Sequence, residues 1–502
     1  MSYVIGLDIG TTSTIGILIG LDDGLRMTAS RPVALHHPHA GWAEEDPAQW
    51  WDNTCAVLQD LLRQSGLEGS AVRAVGVAGM VPAVILLDAQ GRLLRPSIQQ
   101  SDGRCAREVE ELRAEQDADA FTRTTGNGIN QQLVAAKLRW IERHEPAVFE
   151  RIATVFGSYD YINWRLTGER RIEQNWALEG GFVDLADHRV SDSLVALAHL
   201  RPDQIPALAR SHEVIGRVDA QAAAATGLAA GTPVIGGLAD HVASAYAAGV
   251  RQPGDLLVKL GGAGDILLST DTARPDARMF LDYHAIPGLY MPNGCMACSG
   301  ALLNWFAQQF GAAAQSTDGR TRHQNLDALA AAVPPGSEGA RTLPYFLGEK
   351  TPIHDPLARG TFTGLGLHHQ LGHLWRSLLE GVAFGVRHHV EVFASMGLPA
   401  RRILASDGGA GSRIWLQIIA DVLQQPVQRL TGHPGSCLGA AWAAAIGVGL
   451  STDWQGVARF VSLGEAVVPE PAHAAIYDTA YAEYLDLYQT LRPYFHRVAT
   501  AP

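Results

Sequence analysis

Apolar residues in this chain fall into two alternating patterns: short runs with strand character and longer stretches at helical spacing. Val4-Ile5-Gly6-Leu7-Asp8-Ile9 and Ile15-Gly16-Ile17-Leu18-Ile19 predict two strands joined by Gly10-Thr11-Thr12-Ser13. About half the chain later, Leu256 to Leu260 and Ile266 to Leu268 frame Gly261-Gly262-Ala263-Gly264-Asp265 in the same way. Each pair predicts a β-hairpin whose tip is small and rich in backbone donors.

Between the hairpins, Asp46-Pro47 supplies an N-cap and a first helical residue. Trp50, Trp51, Thr54, Val57, Leu58, Leu61 and Leu62 then recur at helical spacing, which buries one face. Val72 to Val77 and Val84 to Leu87 read as buried strands, and Asp88-Ala89-Gln90-Gly91 turns the chain after them. Helices are predicted from about Cys105 to Glu115, Leu133 to His144 and Asp160 to Leu166. Gly231 to Asp240 is a strand ending in a glycine turn, and His241 to Ala248 is an alanine-rich helix. In the second half, Leu374 to Ala394 is helical, and Ile403 to Ser406 is a strand that runs into Asp407-Gly408-Gly409-Ala410-Gly411. Trp415, Ile418, Ile419 and Val422 form a helical stripe. Leu438 to Ala445 is another small-residue helix, and Tyr477, Tyr481, Tyr484 and Tyr488 are packing residues of a last helix.

Strands alternating with helices predict an α/β fold. The repeated hairpin predicts two related domains, and Pro253-Gly254 places the boundary near residue 248, giving 1–247 and 248–502. At 502 residues the chain exceeds what one core supports, which agrees.

The formal charge of −12, with no basic run to offset it, argues against a nucleic-acid partner. Lys137, Lys259 and Lys350 are the only lysines and none follows a glycine, so no GxxxxGK[ST] phosphate loop exists. Cys55, Cys105, Cys295, Cys298 and Cys437 do not pair into a framework, which predicts a reducing, cytoplasmic setting. Cys295-x-x-Cys298 has no second pair beside it and reads as two small buried residues. No apolar stretch has the length of a membrane span.

Successive N–H groups in a tight glycine turn form a concave nest for an anion. Two such turns in two domains can grip a polyphosphate from both sides, as in actin-like ATPases. The order of the motifs then resembles the FGGY family of carbohydrate kinases, on its pentulose-kinase side. The resemblance spans nearly the whole chain: Asp8-Ile9-Gly10-Thr11-Thr12-Ser13, the Gly41-Trp42 to Trp51 block, Ser101-Asp102-Gly103-Arg104 and Gly236-Gly237-Leu238-Ala239-Asp240. It continues in Gly360-Thr361-Phe362-Thr363-Gly364-Leu365 with Leu379-Glu380-Gly381, in Asp407 to Ser412, and in Leu438-Gly439-Ala440-Ala441.

That resemblance implies two ribonuclease-H-like domains of the actin/Hsp70 type with a central cleft, ATP and Mg²⁺ as cofactors, and phosphorylation of a sugar hydroxyl. It implies a ketopentose such as xylulose or ribulose, with another polyol, tetrulose or sugar acid as the alternative. Asp240 is implied as the general base, because a hydroxyl attacks poorly until its proton has somewhere to go. The competing reading of Asp240 is an N-cap for the helix that follows. Asp8, acting through water, and Asp240 are implied as carboxylates at the metal.

Gly10, Thr11, Thr12 and Ser13 from one domain, and Gly261, Gly262 and Ala263 from the other, are implied at the phosphates. Gly300, Asn304, Gly408, Gly409 and Ala410 are implied around the nucleotide. Met80, Val81 and Asp102, together with Asp240, are implied at the sugar. Met80-Val81-Pro82 and Gln100-Ser101 depart from the polar residues common there, so the sugar pocket is expected to have a less polar wall and to make xylulose a poor substrate or one among several. Partners are a small sugar or polyol, with no nucleic acid and no membrane, and a homodimer is left open. From another functional class, an actin- or Hsp70-like ATPase switch competes. It differs in that its ATP turnover needs no sugar.

Overall fold

The computed structural model describes residues 2–314, 319–432 and 434–499. The chain forms two compact units, each built on one twisted sheet. The first comprises 1–251, 271–291 and 433–461; the second comprises 252–270, 292–432 and 462–502. The crossing at Arg251/Gln252 lies close to the expected boundary, but two later segments return to the first unit.

In the first unit, strands Tyr3–Ile9 and Ser13–Gly20 form the first hairpin, and Gly24–Pro32 extends it antiparallel. Val72–Gly79 pairs parallel to Tyr3–Ile9 on the other side. Beyond it lie Pro233–Ile235 and Leu238–Ala239, both parallel to Val72–Gly79. In the second unit, Asp255–Leu260 and Gly264–Leu268 form the second hairpin. Arg402–Ser406 pairs parallel to Asp255–Leu260, and Val427–Gly432 continues parallel beyond it. Each unit thus repeats one plan, an antiparallel hairpin whose first strand carries a parallel neighbour.

Local signals account for the flanking helices. Asp46 accepts from the Ala48 N–H at 2.8 Å and caps helix Pro47–Ser65, where Trp50, Val57, Leu58 and Leu61 are fully buried. Helix Ser436–Gly447, made of small residues, lies directly on the first unit's sheet. A Cβ at Gly6 would overlap the Cys437 carbonyl oxygen, and one at Gly439 would overlap that of Ala243. Those two glycines set the helix-to-sheet and helix-to-helix approach. In the second unit, Trp415, Ile418, Ile419 and Val422 are all buried on helix Arg413–Leu423. The four tyrosines of helix Ala474–Ala499 are packing residues, as expected, each at most 5% exposed. All five cysteines are free thiols. Among the described residues, no helix is long and apolar enough to cross a membrane.

Candidate active site

Three parallel strands of the first unit end side by side, and the predicted catalytic residues lie at their carboxyl ends. Strand Tyr3–Ile9 places Asp8 level with Ala78, and strand Leu238–Ala239 places Ala239 level with Gly79. Asp8 and Asp240 therefore flank Val72–Gly79, two strand spacings or about 10 Å apart at the backbone. Crevices at the carboxyl ends of parallel strands are where α/β sheets bind ligands. The turn beyond Asp8 is closed by the Gly10 N–H donating to Ser13 O at 3.1 Å, which leaves Thr11 and Thr12 at its tip. Met80 joins the same edge: its N–H donates to Ile9 O at 3.2 Å, and Thr11 Oγ1 lies 3.8 Å from its sulfur.

Asp240 is not the N-cap of its helix. Ala239 holds that position without a side-chain bond, and Asp240 is the first helical residue. Its Oδ1 accepts from the His241 N–H at 2.6 Å, one residue on rather than the two or three of a capping bond. The side chain is 38% exposed. Geometry thus overturns the capping alternative.

Three residues that the sequence did not single out gather beside Asp240. His241 Nε2 donates to Asp282 Oδ2 at 2.8 Å, while Nδ1 lies 3.4 Å from Asp240 Oδ1 and Glu179 Oε1 is 3.9 Å from Nε2. Burial would discharge the imidazole, but Asp282, Asp240 and Glu179 outweigh it and hold its pKa well above the ordinary range. Burial, then the Asp282 charge, pushes Glu179 well above the usual carboxylate range. Only one carboxylate partner of the imidazole could have been noticed in the sequence, Asp240 at the adjoining position.

On the expected sugar side, Met80 and Val81 are buried, at 2% and 6% exposure. Asp102 is also buried, and all of its acceptor capacity faces the protein. Oδ1 accepts from the Arg104 N–H at 3.0 Å and from Nε at 2.8 Å; Oδ2 accepts from the Ala43 N–H at 2.6 Å and from Arg104 Nη2 at 2.7 Å. Burial alone would raise its pKa, but the Arg104 and Ala43 bonds lower it on balance. The Arg104 guanidinium stacks 3.8 Å above Trp42 and 5.0 Å from Trp140. Asp102 therefore anchors its own loop in this conformation. Lys137, noted in the sequence only for what it could not be, is fully buried and donates to Gln99 O at 2.8 Å, with Pro82 O at 3.5 Å. It links the Met80–Pro82 loop to the Gln99–Asp102 loop, and burial pulls its pKa down to about 8.

The second unit contains a cavity of about 540 Å³. Gly261, Gly262, Gly300, Asn304, Gly408 and Gly409 line it, whereas Ala263 and Ala410 do not. A Cβ at Gly408 would meet no protein atom within 4 Å, so this glycine faces open space. Gly409 is different, because a Cβ there would overlap the Trp415 ring. The sequence missed Asp327, a polar lining residue that accepts from Trp375 Nε1 and Ser412 Oγ, both at 2.7 Å. Apolar walls with a few fixed polar groups, in this size range, suit a nucleoside.

Comparison with known proteins bears on the family. Xylulose kinase of Escherichia coli (strain K12) is 31% identical over 495 residues, covering 97% of this chain and 99% of that protein. The crystal structure of xylulose kinase from Rhodospirillum rubrum superposes with a TM-score of 0.93 at 58% identity, covering 98% of this chain and 100% of that one. A structure named as xyloylose kinase from Brucella ovis gives 0.90 at 32% identity, covering 98% and 99%. Residues 3–247 match the N-terminal domain of the FGGY family of carbohydrate kinases and residues 261–448 match its C-terminal domain. With both family domains in order on two ribonuclease-H-like units, the chain belongs to the FGGY carbohydrate kinases, ATP-dependent phosphotransferases that act on an alcohol group of a small sugar.

Proposed function

We propose that this kinase phosphorylates a ketopentose, xylulose before others, with Asp240 as the general base. The observation that carries the substrate is the 58% identity, over nearly the full length of both chains, to a protein named xylulose kinase. This reading departs from the expectation, drawn from Val81 and Pro82, that xylulose would be a poor substrate or one among several. Their apolar side chains still leave the backbone and the other edge residues to recognise the sugar.

Asp240 is suited to its role by its place at the carboxyl end of a strand, with one oxygen held by the chain and a side chain that is 38% exposed. The sugar hydroxyl gives its proton to the Asp240 carboxylate as its oxygen attacks the γ-phosphorus of ATP, and ADP leaves with the electron pair of the broken bond. In the first unit, the Gly10–Ser13 turn carries N–H and hydroxyl groups of the kind that bind phosphate. In the second unit, Gly261, Gly262 and Ala263 carry backbone donors of the same kind, and the cavity lined by Gly408 and Asn304 suits the nucleoside. Asp8 and Asp240 fit a magnesium ion: both are hard oxygen donors at one sheet edge, and Mg²⁺ is usually held by one or two carboxylates plus phosphate oxygens. When bound, the ion neutralises charge that develops on the phosphates.

The test is ADP release with xylulose, ribulose, glycerol, erythritol and sugar acids. The reading expects the highest kcat/KM with xylulose and negligible ATP turnover without sugar. Equal turnover without any acceptor would favour an ATPase switch instead.

A further inference from the structure

We infer that His241, held by Asp282, is a positioning residue that orients Asp240 for proton abstraction; the inference rests on Asp240 being the base. Nε2–H donates to Asp282 Oδ2 at 2.8 Å, since a carboxylate oxygen accepts, and Nδ1 faces Asp240 Oδ1 at 3.4 Å. The same Oδ1 accepts from the His241 backbone N–H at 2.6 Å. The His241 main chain therefore holds one oxygen of Asp240, and its ring, fixed by Asp282, lies against that same oxygen.

Asp282 is itself delivered by an unusual anchorage. It lies in strand Phe280–Tyr283, within the 271–291 segment that returns to the first unit. Residues on either side of it are gripped by side-chain amides that imitate a neighbouring strand. Asn127 Oδ1 accepts from the Leu281 N–H and its Nδ2 donates to Leu281 O, both at 3.0 Å. Asn175 does the same to Tyr283, at 2.7 and 3.0 Å. In a strand, residues two apart present their backbone groups to the same edge, so both amides seize one edge and fix Asp282 between them. All three polar residues are buried, where an unmade bond is expensive. Such an anchorage exceeds what a surface carboxylate needs; it fits a group whose position must be held to a fraction of an ångström. Glu179 packs against the same imidazole and adds a third oxygen to its surroundings.

The predicted consequence is a loss confined to turnover. Misplacing a reacting group by about 1 Å can reduce the rate about 10²-fold. Asp282→Ala should therefore lower kcat about 10- to 100-fold while KM for xylulose and for ATP stays within about threefold. Asp282→Asn keeps an acceptor oxygen for Nε2–H and should stay within about tenfold of wild type. His241→Ala should lose a similar factor and recover severalfold on adding free imidazole, which a merely structural role would not produce. Asp240→Asn is measured alongside on the same preparation. Wild-type kcat in folded Asp282→Ala, with Asp240→Asn inactive, would leave the base in place and overturn the positioning role. If Asp282→Ala does not fold, His241→Ala decides the matter: wild-type turnover, or loss without rescue by imidazole, overturns the inference. An active Asp240→Asn would remove the base and this role with it.

Discussion

Replacing Asp240 by asparagine separates chemistry from architecture more cleanly than any other change in this protein. The side chain keeps its shape, and an amide oxygen can still accept the His241 N–H that Oδ1 accepts at 2.6 Å. The residue caps no helix, because Ala239 is the N-cap, and its side chain is 38% exposed. Stability should thus change by no more than about 0.5 kcal/mol, the range of surface substitutions away from special features. For a domain of this size that shifts Tm by roughly 1–2 °C. Turnover should respond on another scale. An amide cannot take up the sugar's proton, and loss of a general base lowers kcat about 10²- to 10⁴-fold. Nucleotide and sugar affinities should remain within a few-fold, since the missing interaction forms only in the transition state. The assay is steady-state ADP release with xylulose, paired with calorimetric nucleotide binding and a thermal melt. A mutant that retains more than about a tenth of the wild-type kcat would refute the assignment of Asp240 as base.

Asp8→Ala should leave the fold intact and reduce activity at least about 10²-fold, and excess EDTA should abolish activity in the wild type; full turnover in either case removes the carboxylate–metal reading. Gly409→Ala should destabilise the protein by about 1–3 kcal/mol in denaturant melts, because the new methyl meets Trp415 and lies 2.7 Å from Leu260 Cβ. Gly408→Ala should melt as wild type yet raise the KM for ATP roughly fivefold or more, because only a ligand can occupy the space its Cβ would enter. Acid should destabilise the fold through two buried imidazoles. Burial draws His284 and His389 down from the ordinary 6.5 to about 4, and each ring is hydrogen-bonded to a backbone carbonyl, of Val250 and Gly385 respectively. Between those values the unfolded chain binds protons that the folded chain refuses, so this contribution is whole above about pH 6.5 and is lost as pH falls toward 4. Denaturant melts of His389→Gln against pH should show a slope shallower than wild type by up to about one proton near pH 5, and an unchanged slope would count against the reasoning.

Much of this protein was determined by short-range pattern. The two hairpins, the Asp46-Pro47 helix start, the buried Trp415 stripe and the four packed tyrosines all follow from periodicity and cap chemistry within a few turns of chain. Those signals are local because the backbone decides between helix and strand over a handful of residues. The order of glycine motifs also pointed to the kinase family and to Asp8 and Asp240. Tertiary structure decided the rest. Nothing local marks Asp282, which meets His241 across 41 residues of sequence because a segment of the second half returns to the first unit. Nothing local shows that Asp102 already has every acceptor position filled, that Lys137 lies buried between two loop carbonyls, or that Gly408 faces space while Gly409 faces a tryptophan. Hydrogen-bond satisfaction and burial depend on which distant groups the fold brings within about 3 Å, and a linear pattern of side chains carries the capacity for such contacts but not their choice.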